Sequence, residues 1–372
     1  MSETKAAAAK SKFDPNLILV FVLLFGGLGS FLYNNMTDVT ATWMAILLFI
    51  IGLVLLIKGG DWFVDGAATI AERFKVPEIL IGATVVSIGT TLPEVMVSAQ
   101  AAAKGNSGIS YGNAIGSIIC NVSLIAAITL AVKPAKVDKK PLRIPVIFFF
   151  VAAVFYAANA YLFGHFSRVT GAILLCTFIG YMIVNVKQAL SKKNEPAAEA
   201  SDGDGADDDG EKKKPMPMWQ AILFLIVGAA VIAFGATLLV DNGTIIAGKL
   251  GVPDSVIAVT VVALGTSLPE LVTAVTSLIK GKGALSLGNI IGANIFNLVL
   301  VSGIAITIRP FDVPSEKLLA GMNASLLVDI PMVFLVMLIL TVPPLVKGRL
   351  YRLQGIALLL LYAAYCVFQF VF

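Results

Sequence analysis

Charge is scarce in this chain of 372 residues. Asp, Glu, Lys and Arg make up 13% of it and 58% is hydrophobic, whereas soluble domains carry roughly a quarter charged residues. There is too little polar surface to clothe a water-soluble globule. Histidine is almost absent. The one copy, His165, falls in a short break between apolar runs, and an exposed loop residue is its expected role. With no second histidine, a nucleophile–base pair or an imidazole metal centre has nothing to build on. The three cysteines, Cys120, Cys176 and Cys366, lie in apolar runs with no metal or redox spacing, so small buried packing residues are expected. An enzyme is not expected, nor a cofactor. The formal charge of +4 bears on orientation in a bilayer and not on nucleic acid.

What is present is apolar length. Runs of about 18–26 residues, each enough to cross a bilayer, are expected at roughly 16–34, 43–64, 78–103, 109–132, 144–163, 168–188, 218–240, 254–279, 284–308, 318–342 and 354–371. Basic residues sort the loops between them. With the N-terminus inside, all 27 Lys and Arg except Lys104, Arg168, Lys249, Arg309 and Lys317 fall on the cytoplasmic side. The positive-inside rule therefore puts the C-terminus outside. Within residues 1–42, the run 16–34 has no later counterpart. It reads as an extra retained helix or, with Lys5, Lys10 and Lys12 before it, as a cleavable signal peptide. Residues 189–217, rich in Asp, Ala and Gly, cannot bury a core. They are expected to be a disordered cytoplasmic linker between two halves, 43–188 and 218–372.

The halves repeat. Gly89-Thr90-Thr91-Leu92-Pro93-Glu94 returns 176 positions later as Gly265-Thr266-Ser267-Leu268-Pro269-Glu270. Without a gap, the same shift lays Asp65 on Asp241, Gly112-Asn113 on Gly288-Asn289, Gly116 on Gly292 and Asn121 on Asn297. Each half holds five spans, and an odd number turns the second copy over in the membrane. The expected fold is an all-α polytopic membrane protein of two inverted five-helix repeats plus one extra N-terminal helix.

The repeated motif gathers hard ligands. Thr90 and Glu94 are four apart and share a helix face, with Thr91 adjacent. Pro93 denies the Gly89 carbonyl its helical partner and pushes the backbone apart. A carboxylate, hydroxyls and a free carbonyl suit Na⁺ or Ca²⁺ and not soft metals. An ionisable group at this depth marks a function, and no Lys or Arg lies in the core of either motif span to neutralise Glu94 or Glu270. Ser117 and Asn121, again four apart, follow on the next span, with Ala293 and Asn297 as their counterparts. Gly112, Gly116, Gly288 and Gly292 have the small-xxx-small spacing of closely packed helices. Asp329, beside Pro331, is a further intramembrane carboxylate that adds charge near the site, sits in a water-exposed crevice or caps a broken helix.

These residues resemble the two alpha-repeats of the sodium/calcium exchanger family, within the cation/calcium antiporter superfamily. The two GT(S/T)LPE motifs and the segment from Gly108 to Ser117 carry the likeness, which spans residues 43–371. The resemblance implies a ten-helix antiporter core in a prokaryotic plasma membrane, working by alternating access as a monomeric unit. Its partners would be Ca²⁺ and Na⁺ ions and the lipid bilayer. By motif position its ion ligands would be Thr90, Thr91, Glu94, Ser117 and Asn121, then Thr266, Ser267, Glu270 and Asn297. The backbone carbonyls of Ser87 and Ala263 would complete them. Two positions depart from the family: Ala293 stands where serine is frequent and Asn297 where aspartate is common. Two carboxylates in place of three suit one Ca²⁺ and leave the coupling ion open among Na⁺, K⁺ and H⁺. A passive channel, the reading from another class, calls for a continuous polar stripe that the spans do not show.

Overall fold

The computed structural model describes residues 42–192, 216–250, 263–314, 318–319 and 322–371. The run at 16–34, most of the linker and residues 251–262 lie outside them. Among the described residues, nine helices are long and apolar enough to cross a membrane. In chain order they are α1 (Thr42–Phe74), α2 (Glu78–Ala103), α3 (Ser107–Val132), α4 (Lys139–Phe163), α5 (Arg168–Lys192) and α6 (Met218–Lys249). Two short pieces, α7 (Ala263–Thr266) and α8 (Leu268–Ile279), precede α9 (Gly283–Ile308), α10 (Ser325–Lys347) and α11 (Arg352–Val371). Pieces α7 and α8 are the described part of the span expected at 254–279. Helices α1 and α6 run past the spans expected at 43–64 and 218–240, carrying Asp65 and Asp241 inside the helix and not at its end. Helix α10 starts at Ser325 and not at 318, because Leu318–Leu319 and Met322–Asn323 pair as a small hairpin.

The bundle has two ends. At the linker end, where α5 stops and α6 starts, Val137 donates to the Gly348 carbonyl at 3.0 Å, and Lys282 bridges Glu72 (3.1 Å) and Glu78 (2.8 Å). Burial alone would depress the Lys282 ammonium, but the two glutamates outweigh it and hold the group above the usual lysine value. At the opposite end, β1 (His165–Phe166) pairs with β2 (Phe311–Asp312), tying the two repeats together. There His165 meets Asp312 at 2.6 Å on an exposed edge.

Helices α1 and α6 are antiparallel, and glycine decides how they meet. Gly52 faces Gly235, Gly59 faces Gly228 and Gly66 faces Ala221, with the backbones in contact. A Cβ on Gly228 would sit 2.7 Å from the Phe63 nitrogen. The 176-residue shift carries Gly52 onto Gly228 and Gly59 onto Gly235, so this contact is unchanged when the repeats are exchanged. That is the local signature of inversion. In hydrocarbon, lipid tails are as apolar as leucine, so such close packing, more than exclusion from water, binds helices.

The apolar core has three parts, one of which joins α1 and α6 to the rest through Phe63, Ile232, Ile81, Val86 and Leu285. Leu48, Leu55, Trp62, Val231 and Leu238 form a cluster of α1 and α6 alone. The largest cluster, containing Phe149, Tyr181, Phe296 and Met337, belongs to the other helices. Gly288 and Gly292 pack on Ile79, Ala83 and Ser87 of α2 as the spacing predicts. Among the described residues, nothing lies within 4 Å of a Cβ on Gly112 or Gly116, and the close-packing expectation for that half falls on residues outside the described ones. The repeat image of the α2 segment they would meet falls in 251–262. Ile147, Val151 and Val154 on α4 are exposed, as a lipid-facing side requires. Cys120 is buried, whereas Cys176 is exposed and Cys366 intermediate, so only the first fits the expected buried role.

Replacing Gly228 by leucine should force α1 and α6 apart at a backbone that cannot yield. A loss of about 1–3 kcal/mol is expected, read as a lower thermal unfolding midpoint in detergent. Gly180→Ala, at a helix position with open space around it, should leave the midpoint unchanged.

Candidate functional site

The two motif copies are built differently. Helix α2 opens into a wide π turn at Gly82–Val86. Side chains take up the loosened carbonyls: Tyr181 donates to Ala83 O at 2.8 Å and Ser87 to Gly82 O at 2.8 Å. The helix then runs on through Pro93, so the break expected there does not occur. In the second copy the chain does break, at Ser267 between α7 and α8. Pro269 there lies in the first turn of α8, where a missing N–H costs nothing. Asn121 and Asn297 each begin a π turn, Asn121–Ala126 and Asn297–Val301, a local widening often found at functional positions.

Each repeat holds the other's hydroxyls. Thr90 donates to the Asn289 side-chain oxygen at 3.2 Å, and Thr266 donates to that of Asn113 at 3.4 Å. These two bonds are images of one another under the 176-residue shift. Asn113 in turn donates to the Glu94 carbonyl at 3.1 Å and to Ser98 at 2.9 Å, and Asn289 donates to Thr273 at 2.9 Å. The Ser87 hydroxyl reaches the Asn289 carbonyl at 3.0 Å. A third amide has no image, since Ile118 occupies the matching place. Asn294 donates to the Met337 sulfur at 3.4 Å and accepts from Asn121 at 3.2 Å. A thioether only accepts, which fixes how the Asn294 amide lies. The Asn121 NH₂ is thereby spoken for, and its oxygen faces the interior without a partner.

The interior is where partners run out. Glu94 and Glu270 are fully buried, and neither oxygen of either carboxylate has a hydrogen-bond partner among the described residues. The same holds for the Thr91 and Ser267 hydroxyls, the Asn121 oxygen and both polar atoms of Asn297. Glu94 and Glu270 lie close enough to repel, and Thr90 and Thr91 stand beside the Glu270 carboxylate without closing a bond to it. Buried polar atoms are normally paired, and the open oxygens here, contributed by both repeats, are of the hard type that suits Na⁺ or Ca²⁺. Ser117 and Ser87 are buried as well, and Thr266 is partly so. The helices that carry these expected residues, α2, α3, α7, α8 and α9, meet one another. Ala263 opens α7, one turn before the break.

Asp329 belongs elsewhere. It accepts from Tyr365 and Gln369 of α11 at 3.1 Å each, an arrangement that holds α10 to α11. The residues not singled out as site residues in advance are Asn113, Asn289 and Asn294. The first two could have been found, because they superimpose under the repeat shift. Asn294 could not, because the shift brings it onto an isoleucine.

Comparison with known proteins follows this geometry. A family model described as sodium/calcium exchanger protein matches residues 44–187 and 220–371. The sodium/calcium exchanger MaX1 of Methanosarcina acetivorans is 33% identical over 350 residues, covering 87% of this chain and 98% of that protein. Inner membrane protein YrbG of Escherichia coli is 34% identical over 289 residues, 77% of this chain and 87% of that one. Among solved structures, the sodium-calcium exchanger NCX_Mj soaked with zero Na⁺ and Ca²⁺ superimposes with a TM-score of 0.71 at 33% identity. That match covers 88% of this chain and 99% of that one.

The amide scaffold has a direct consequence. Asn289→Leu removes the acceptor for Thr90 and the donor to Thr273 while the carboxylates stay in place. It should weaken Ca²⁺ binding about tenfold, as loss of an orienting outer partner generally does. A Ca²⁺ titration of the thermal midpoint reads this, and an unshifted titration would contradict it.

Proposed function

The chain belongs to the sodium/calcium exchanger family, and on that premise we propose that it exchanges Ca²⁺ for Na⁺ across a membrane by alternating access. Membership of an exchanger family makes it a transporter of cations in a bilayer. The observation that carries the finer reading is the pair of buried carboxylates, Glu94 and Glu270, without a basic partner. Two carboxylates balance one divalent cation, and the oxygens around them are of the type Ca²⁺ and Na⁺ prefer. Thr91, Ser267, Asn121 and Asn297 present open oxygens to the ions, and Thr90, Thr266 and Ser117 complete the ring. The carbonyls of Ser87 and Ala263 supply the backbone ligands. Asn297, neutral where the family commonly has aspartate, leaves Na⁺ binding to the two glutamates and to oxygen dipoles.

Irregular backbone at membrane depth is tolerable where it lines an ion path or is buried in protein, and the break at Ser267 meets that condition. Helices α1 and α6, with a shared core of their own, move as one body against the rest and expose the site to either side in turn. The basic loops set the orientation: linker end in the cytoplasm, opposite end outside, in a prokaryotic plasma membrane, with a single chain as the transport unit.

Proteoliposomes loaded with Na⁺ should take up radiolabelled Ca²⁺ down the Na⁺ gradient. Glu94→Gln and Glu270→Gln should each bring uptake to background, and uptake indifferent to both would remove the assignment. Imposing Na⁺, K⁺ and H⁺ gradients one at a time identifies the coupling ion, and Na⁺ alone should suffice.

A further inference from the structure

The two ends of the α1–α6 pair are in different conditions. At the linker end Lys280, just beyond α8, reaches α1. Its ammonium lies 2.7 Å from Asp65 and 3.4 Å from Asp61, and it donates to the Asp61 carbonyl at 2.9 Å. Beside it, Gly60 of α1 is pressed against α8, where a Cβ would come within 2.6 Å of Val272 and 2.9 Å of Thr276. The 176-residue shift carries Lys280 onto Lys104, Asp65 onto Asp241, Gly60 onto Ala236 and Val272 onto Met96. These images stand apart. Among the described residues neither Lys104 nor Asp241 makes an ion pair. Asp241, Ala236 and Met96 all line an open cleft of about 840 Å³ between α2 and α6. One contact is closed and its repeat image is open.

We propose that Lys280–Asp65 and Lys104–Asp241 are alternating latches of the transport cycle, each formed when the α1–α6 pair seals its own end. The inference rests on the antiport reading. Two copies of one fold related by inversion have two equivalent arrangements, reached when the repeats exchange conformations. A contact made by one repeat on the sealed side is then made by the other in the alternate state. The α1–α6 glycine contact is already symmetric, so that pair need not repack as it moves. Desolvation supplies the physical reason for a latch. Asp241 lines the open cleft, and sealing it would bury that carboxylate further. An unpaired carboxylate would resist the closure, whereas one met by Lys104 would not. Arg309, whose guanidinium packs over Gly105 next to Lys104, adds positive charge at the same place.

The latches are unequal. At the linker end Lys280 has a second carboxylate, Asp61, and Lys282 adds ties to Glu72 on α1 and Glu78 on α2. The images of Asp61 and Lys282 are Thr237 and Asn106, which carry no charge. Closure at the linker end is therefore the favoured state when no ion is bound.

The test uses the full chain in proteoliposomes with Cys176→Ser and Cys366→Ser and the pair Met96→Cys with Ala236→Cys. Oxidative cross-linking of that pair reports closure of the opposite end and should arrest exchange. Adding Lys280→Gln should raise the cross-linking yield about fivefold and adding Lys104→Gln should lower it by a similar factor, as expected from removing one partly buried ion pair from a two-state balance. Asp65→Lys combined with Lys280→Asp should return the yield to the parental level. Yields that move in the same direction, or do not move, overturn the latches. Absence of Na⁺-driven Ca²⁺ exchange before oxidation would count against the antiport reading alone, since the yields still decide the latches.

Discussion

The structure turns on two carboxylates buried together without a counter-charge. Taking one carboxylate out of water costs several kcal/mol even after the protein relaxes, and Glu94 and Glu270 add mutual repulsion. No lysine or arginine in their spans offsets either cost. A divalent cation between them offsets both at once, and monovalent cations do so in part. Around them the NH₂ groups of Asn113, Asn121 and Asn289 are given to other partners, which leaves the Asn121 oxygen open.

Turning the amides is the work of α3 and α9, the third span of each repeat. Asn113 and Asn289 spend their NH₂ groups on Glu94 O, Ser98 and Thr273 and their oxygens on threonines of the opposite repeat. Each motif is thus positioned by the other copy's scaffold, and neither half assembles the site alone. Inversion explains why two copies of one motif converge at the midplane, having entered from opposite ends. The copies are not equivalent in detail. The backbone breaks at Ser267 and not at the matching Thr91, and Asn121 is held by Asn294 while Asn297 has no such support. That asymmetry leaves one amide held by a hydrogen bond and one with both polar atoms open.

Much of this was legible in the sequence, for definite reasons. A gapless 176-residue shift with a carboxylate in each copy can be read without coordinates. Thr91, Glu94, Asn121, Ser267, Glu270 and Asn297, all named from the motifs, have open polar atoms in the folded chain. The outcome at Pro93 was not legible, because tolerance of a proline depends on the carbonyls that neighbouring groups can satisfy. Nor were the full lengths of α1 and α6. Asp65 and Asp241 match under the repeat shift, but their different surroundings, Lys280 for one and the cleft between α2 and α6 for the other, are seen only in three dimensions. The role of Asp329 stayed open in the sequence because its partners, Tyr365 and Gln369, lie on another helix.

The carboxylate pair is also where a single measurement is most telling. Crystals of the protein soaked in Sr²⁺, a heavier ion with the ligand preferences of Ca²⁺, should show an anomalous diffraction peak in contact with both Glu94 and Glu270. The peak should fade as Na⁺ in the soak is raised. A strong peak elsewhere in the membrane-spanning region with none at the pair, or a peak there that Na⁺ does not displace, would contradict a shared exchange site built on these two residues.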